Sequence, residues 1–308
     1  MKPEKSSKSK LHPNNKHQKG YDFSKLCRIS PSLNDFVFEN QYQTKTIDFS
    51  DPKAVKNLNT ALLLTYYKLS YWNFTDDNLC PPVPGRVDYI HHLAALLKSS
   101  DINKDIVVLD IGTGASCIYP LLGNAEYNWQ FIGTDIDKKA IESAQHIINK
   151  NKLTKDISLQ YQTDQSHILK GILSTTDRFD ATLCNPPFHD SQEVAIAATK
   201  RKLQGLGKET TFVRNFSGNQ NELWYKGGEK VFIQTYLYES SLFKKQCFWF
   251  STLVSKKENI RPIKVSLKKL KATEIKTIPM RHGNKITRII AWTFLNKEEQ
   301  RNWKTGVK

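Results

Sequence analysis

The chain has 308 residues, enough for one large core or a core with a smaller appendage, and 39% of them are hydrophobic. Its 46 Lys and Arg against 30 Asp and Glu leave a formal charge of +16, which favours a polyanionic partner because neutralised phosphates release their counterions. Five widely spaced cysteines (Cys27, Cys80, Cys117, Cys184 and Cys247) with no C-x-x-C pair argue against a disulfide framework or a zinc site. No apolar run approaches the roughly 18 residues of a membrane span, and no apolar stretch follows the basic N-terminus as in a secretory signal.

Residues 1–20 contain almost nothing that enters a core, and their lysines, Lys10, Lys16 and Lys19 among them, face a single acid, Glu4. They read as a disordered basic arm. Ala54, Val55, Leu58, Leu62, Tyr66 and Leu69 then recur at helical spacing from Asp51 onward. The prolines Pro81, Pro82 and Pro84 interrupt that pattern, and a second helix is expected from about Asp88 to Lys98. Residues 21–100 therefore read as a helical extension ahead of the main domain at 101–308, with nucleic acid the partner that the charge favours.

From residue 101 the rhythm changes to strands alternating with helices. Ile106–Leu109, Phe131–Asp135, Ile157–Tyr161 and Phe179–Cys184 are short apolar runs, and Cys247–Val254 and Arg288–Leu295 read as closing strands. The pattern implies an α/β fold with a mostly parallel sheet covered by helices on both faces. Between them, 198–230 is long and polar. Arg201, Lys202, Arg214 and Lys226 alternate there with aromatics such as Phe212, Trp224 and Tyr225, a composition suited to stacking on bases and gripping phosphates. Trp224 and Tyr225 are equally open to packing beneath the loop. The Lys-rich stretch 264–276 reads as a solvated strand-and-helix face.

Three motifs carry chemistry. Asp110-Ile111-Gly112-Thr113-Gly114 ends the first strand of the main domain, where glycine lets backbone approach a ligand. Cys117 stands where a dinucleotide loop has its third glycine, which disfavours a pyrophosphate site. Asp135, at the tip of the next strand, is placed to accept hydrogen bonds from ribose hydroxyls, while Asp137 suits a helix cap. Asn185-Pro186-Pro187-Phe188 follows the fourth strand. There the asparagine oxygen and the Pro186 carbonyl can accept both N–H bonds of an exocyclic amine, a rigid turn fixes them, and Phe188 can stack on an extruded base. No Ser-His-Asp set is evident.

With these motifs in order, the runs LDIGTGASCIYPLLG (109–123), PPVPGRVDYIH (81–91), CNPPFHDS (184–191) and NELWYKGGE (221–229) resemble the bacterial large-subunit ribosomal RNA adenine-N6 methyltransferases. A eukaryotic relative that modifies a spliceosomal RNA is similar over the same segments. The chain ends without the extra C-terminal module of that relative, which favours the bacterial reading. The resemblance implies a Rossmann-like class I methyltransferase fold, S-adenosylmethionine as cofactor, an adenine N6 of 23S rRNA as target, a cytoplasmic setting, and neither metal nor obligate protein partner. It also implies that Arg86 reaches the cofactor carboxylate, that Gly112 lines its amino-acid end, that Asp135 holds the ribose, and that Asp110 and Gly114 belong to the same cofactor site. Asp164 would meet the adenine ring, and 185–188 would be the catalytic tetrad. The eukaryotic relative has glutamate in place of Asp135, which still binds a ribose. N-P-P followed by an aromatic also serves methylation of a release-factor glutamine and of DNA adenine. The first calls for no +16 chain, the second is disfavoured only by the wider resemblance, and a non-catalytic RNA-binding fold is the remaining alternative.

Overall fold

A computed structural model describes residues 11–187, 225–282 and 285–304. The first ten residues, the Phe188 end of the asparagine–proline motif and most of the long polar loop fall outside them, so Lys10, Phe188, Arg201, Lys202, Arg214 and Trp224 are not placed.

Residues 11–20, expected as part of a free arm, are folded onto the body. Asn15 and His17 are buried. Lys16 pairs with Glu126 and its ammonium lies 5.1 Å from the Tyr67 ring centre. Buried hydrogen-bonding partners outweigh the local lack of apolar residues. After them come α1 (Phe23–Ile29), a short 3-10 turn at Pro31–Phe36, and the hairpin β1 (Val37–Glu39) and β2 (Lys45–Ile47).

Helix α2 (Pro52–Tyr66) begins where expected, with the Asp51 carboxylate accepting from Lys53 N–H. Helix α3 spans Val83–Ser99, five residues earlier than Asp88. Pro84 is tolerated because it sits in the first turn, where its missing N–H would have had no intrahelical acceptor. This shift places Arg86 on a helix rather than in a connecting loop.

The main sheet has seven strands in the order β5-β4-β3-β6-β7-β9-β8. β3 (Val107–Ile111), β4 (Gln130–Asp135), β5 (Ile157–Tyr161), β6 (Phe179–Cys184) and β7 (Cys247–Val254) are parallel to their neighbours. β9 (Lys285–Thr293) runs antiparallel between β7 and β8 (Glu274–His282). Every residue of β7 is buried, as expected for a strand covered on both faces. The stretch 264–276, read as a strand-and-helix face, holds the end of the helix Ile260–Lys269 and the start of β8. β8 is the edge strand of the sheet and pairs with β9.

Strand alternation sends neighbouring side chains into two cores. Val108 joins one with α2, α3, α4 (Ile118–Tyr127) and α5 (Lys138–Lys150), while Leu109 joins the other with α6 (Gly228–Ser240) and α7 (Ile260–Lys269). The first core runs without a break across residue 100, from Leu58 and Tyr89 to Leu121 and Ile147. Tyr89 of α3 also bonds Ser251 of β7 at 2.9 Å. The expected boundary between an extension and a domain at 100/101 therefore passes through one shared core. Helix α8 (Lys297–Lys304) closes the described chain, with Trp303 donating to Asp180 at 2.8 Å. Among the described residues no helix is long and apolar enough to cross a membrane, and no cluster of His, Cys, Asp and Glu is arranged for a metal ion.

Candidate active site

A cleft of about 1100 Å³, open solvent at its mouth included, lies at the carboxyl ends of β3, β4, β5 and β6. This is where the loops of an open parallel sheet diverge and leave room for a ligand. Its floor is Gly112, Thr113 and Gly114. Gly112 has φ +73° and a side chain there would point into empty space, so the residue both permits the left-handed turn and leaves the cleft clear. Its N–H and that of Thr113 both donate to the Thr134 carbonyl at 2.9 Å, which ties the turn to β4.

Asp135 lines the same cleft from the tip of β4. Oδ2 accepts from Gly114 N–H and Oδ1 from Asp137 N–H, each at 2.9 Å. Each oxygen retains acceptor capacity for a hydroxyl. Burial pushes this carboxyl above its ordinary range. Asp137 is the N-cap of α5, accepting from Lys139 N–H at 2.8 Å.

Arg86 enters from the first turn of α3. One guanidinium nitrogen donates to the Tyr119 hydroxyl at 2.8 Å, and the group lies 5.5 Å from that ring's centre. Its Nε is buried without a partner, and no carboxylate forms an ion pair with it among the described residues. Asp110 is fully buried behind the floor, and burial pushes its carboxyl up to about 7. Asn185 and Pro187 line the cleft directly after β6, with Pro186 buried between them. The Asn185 side-chain oxygen is likewise buried and unpartnered.

Unspent donors and acceptors in one concave site point to a ligand, because burying a polar atom without a partner is costly. An amino-acid nucleoside fits them. Its carboxylate suits the Arg86 guanidinium, its ribose hydroxyls suit Asp135, and the Asn185 oxygen is left for a second molecule.

Asp164 does not join them. Its carboxylate turns outward and accepts from Ser166 N–H at 2.8 Å and Ser166 Oγ at 2.6 Å, contacts that hold it below the usual range. The wall of that loop is made instead by Gln162, Gln165, His167 and Ile168. An Asx turn decides which way Asp164 faces, and a one-residue shift in a loop is enough to exchange wall for surface. Sequence reasoning also passed over Tyr119, His167 and Phe232, which line the cleft. Tyr119 lay within a quoted motif; nothing in the sequence marked the other two. Tyr225 lines the cleft and packs edge-on to Phe232 at 5.3 Å, and Lys226 beside it is exposed. Lys19 is exposed on the N-terminal segment.

The chain is similar to known proteins over nearly its whole length. The profile of a family described as RNA methyltransferase matches residues 5–296. The ribosomal RNA large subunit methyltransferase F of Flavobacterium psychrophilum is 48% identical over 96% of this chain and 97% of its own length. That of Yersinia pseudotuberculosis is 46% identical over 96% and 91%. Among solved structures, the catalytic domain of human METTL16 in complex with a MAT2A 3'UTR hairpin superposes with a TM-score of 0.79 at 28% identity, covering 94% of this chain and 98% of that one. The N-terminal domain of human METTL16 in complex with SAH gives 0.76 at 27% identity, over 93% and 99%.

Proposed function

This chain belongs to the RNA methyltransferase family, and on that premise we propose that it methylates the N6 amine of an adenine in 23S ribosomal RNA, in the cytoplasm, with S-adenosylmethionine as donor. The observation that carries the reading is the unpartnered Asn185 oxygen in the same cleft as Arg86, Gly112 and Asp135.

S-adenosylmethionine, when bound, supplies an electrophilic methyl group on a sulfonium. Arg86 binds its carboxylate and Asp135 its ribose hydroxyls, and the glycine turn admits it against bare backbone. The adenine amine is a weak nucleophile because its lone pair is delocalised into the ring. Asn185 Oδ1 and the Pro186 carbonyl each accept one of its N–H bonds, favouring the geometry in which positive charge develops on that nitrogen. Two prolines fix the corner, so the acceptors need no reorganisation. The N–H proton, acidified once the nitrogen carries a fourth bond, leaves to water without a dedicated base. Tyr225 and Phe188 offer faces on which an extruded base stacks. Lys10, Lys19, Arg201, Lys202, Arg214, Trp224 and Lys226 supply contacts to the RNA backbone and bases, with Lys16 a weaker contributor because Glu126 already neutralises it.

Tritiated S-adenosylmethionine incubated with large-subunit rRNA, tRNA, duplex DNA and release factor tests this directly. Label recovered as N6-methyladenosine in the large-subunit RNA is expected. Label confined to DNA or protein would overturn the assignment.

A further inference from the structure

We infer that Asn15 positions Arg86 to receive the carboxylate end of the cofactor, an inference that rests on the role given to Arg86 above. The first turn of α3 has no side-chain cap: Pro82 occupies the cap position, and Pro84 in that turn has no N–H. Its anchors come from elsewhere in the chain. Asn59 of α2 accepts from Val83 N–H at 3.1 Å. Asn15, from the folded N-terminal segment, donates its side-chain amide to the Pro84 carbonyl at 2.9 Å and to Asp88 Oδ1 at 3.0 Å. Those two acceptors lie two residues before and two residues after Arg86.

Asp88 is 1% exposed and also accepts from His12 N–H at 2.7 Å, so the segment is held at two points. Burial alone would raise the Asp88 carboxyl, yet the contacts from His92, His12 and Asn15 keep it below its ordinary value and hence charged. Asn15 is itself 3% exposed and does not line the cleft. Its effect on a ligand is therefore indirect. Among the described residues the Arg86 side chain has one hydrogen bond, to Tyr119, and its direction depends on where the turn that carries it is held.

The test measures binding of two ligands to the full chain: S-adenosylhomocysteine, and 5'-methylthioadenosine, which has the same nucleoside but no carboxylate. Asn15→Ala is expected to weaken S-adenosylhomocysteine roughly tenfold, the scale of one lost charge-linked hydrogen bond, and to leave 5'-methylthioadenosine unchanged. In an Arg86→Ala background the same substitution should add nothing, since the effect passes through that guanidinium. Should Asn15→Ala fail to fold, Asp88→Asn keeps an acceptor oxygen while removing the charge, and the same carboxylate-selective loss is expected at about threefold. Equal weakening of both ligands would reduce Asn15 to a support of the fold, and no weakening would show the clamp to be idle; either overturns the inference while leaving the enzyme assignment standing. Failure of the unaltered chain to bind S-adenosylhomocysteine would sink both.

Discussion

The backbone N–H of Gly114 donates to Oδ2 of Asp135 at 2.9 Å, so the turn after β3 and the tip of β4 form one cross-braced wall. On the proposed reading Asp135 has two duties, shaping the glycine turn and meeting the ligand. Asp135→Ala is expected to lower S-adenosylhomocysteine affinity by well over tenfold, because it removes ligand contacts and loosens the floor together. Calorimetric titration checks this; affinity within twofold of the unaltered chain would refute the ribose role.

In the proposed reaction Asn185 acts at a different stage. Asn185→Ala should cut the methyl-transfer rate by roughly a hundredfold or more, while S-adenosylhomocysteine affinity stays within a few fold. Single-turnover methylation beside equilibrium binding separates the two effects. A variant that keeps its rate but loses the cofactor would reverse the assignment.

Glu239 holds a wall of the cleft from behind. Its Oε2 accepts from Ile168, Leu169 and Lys170 N–H at 3.0, 2.6 and 3.0 Å, and its Oε1 lies 3.0 Å from His167 Nδ1. Glu239→Ala leaves buried N–H groups unsatisfied and should cost about 2–4 kcal/mol in chemical denaturation. A loss under about 0.5 kcal/mol would mean that water replaces the carboxylate there.

Two truncations separate the folded part of the N-terminus from its basic tip. Removing residues 1–10 deletes Lys2, Lys5, Lys8 and Lys10 and should flatten the salt dependence of RNA binding, by up to about three in the log–log slope, with thermal stability unchanged. Removing 1–20 takes away Asn15 and His17 as well and should lower the unfolding temperature. Equal stability of the two truncations would contradict the packing of residues 11–20.

Protonation strains that same packing. His17 bonds the Tyr67 hydroxyl at 2.7 Å, and burial, with Lys16 beside it, lowers its pKa from 6.5 to about 4. The unfolded chain therefore binds the proton more readily, so this contribution to stability is complete above pH 6.5 and is lost as pH falls toward 4. Asp110 works in the opposite sense: raised from 3.8 to about 7, it costs stability as pH climbs through that window. Unfolding midpoints of His17→Gln and Asp110→Asn against the unaltered chain should show differences of opposite slope between pH 4 and 7. Parallel profiles would show that neither group titrates as its burial implies.

The order of the chemistry is legible along the chain. Glycines after a short apolar strand, an acid at the tip of the next and Asn-Pro-Pro after the fourth are local signals, because turn conformation and strand burial depend on residues close in the chain. Those three motifs meet in the cleft. Features that depend on partners far away in the chain emerge with the fold. Residues 11–20 look unable to fold, and they fold because Asp88 and Tyr67, more than 45 residues on, are their hydrogen-bond partners. Arg86 belongs to a helix because its prolines fall in the one turn that tolerates them. Asp164 faces solvent because a serine two residues later satisfies it. Periodicity records what each residue prefers, and burial among distant side chains decides which preference prevails.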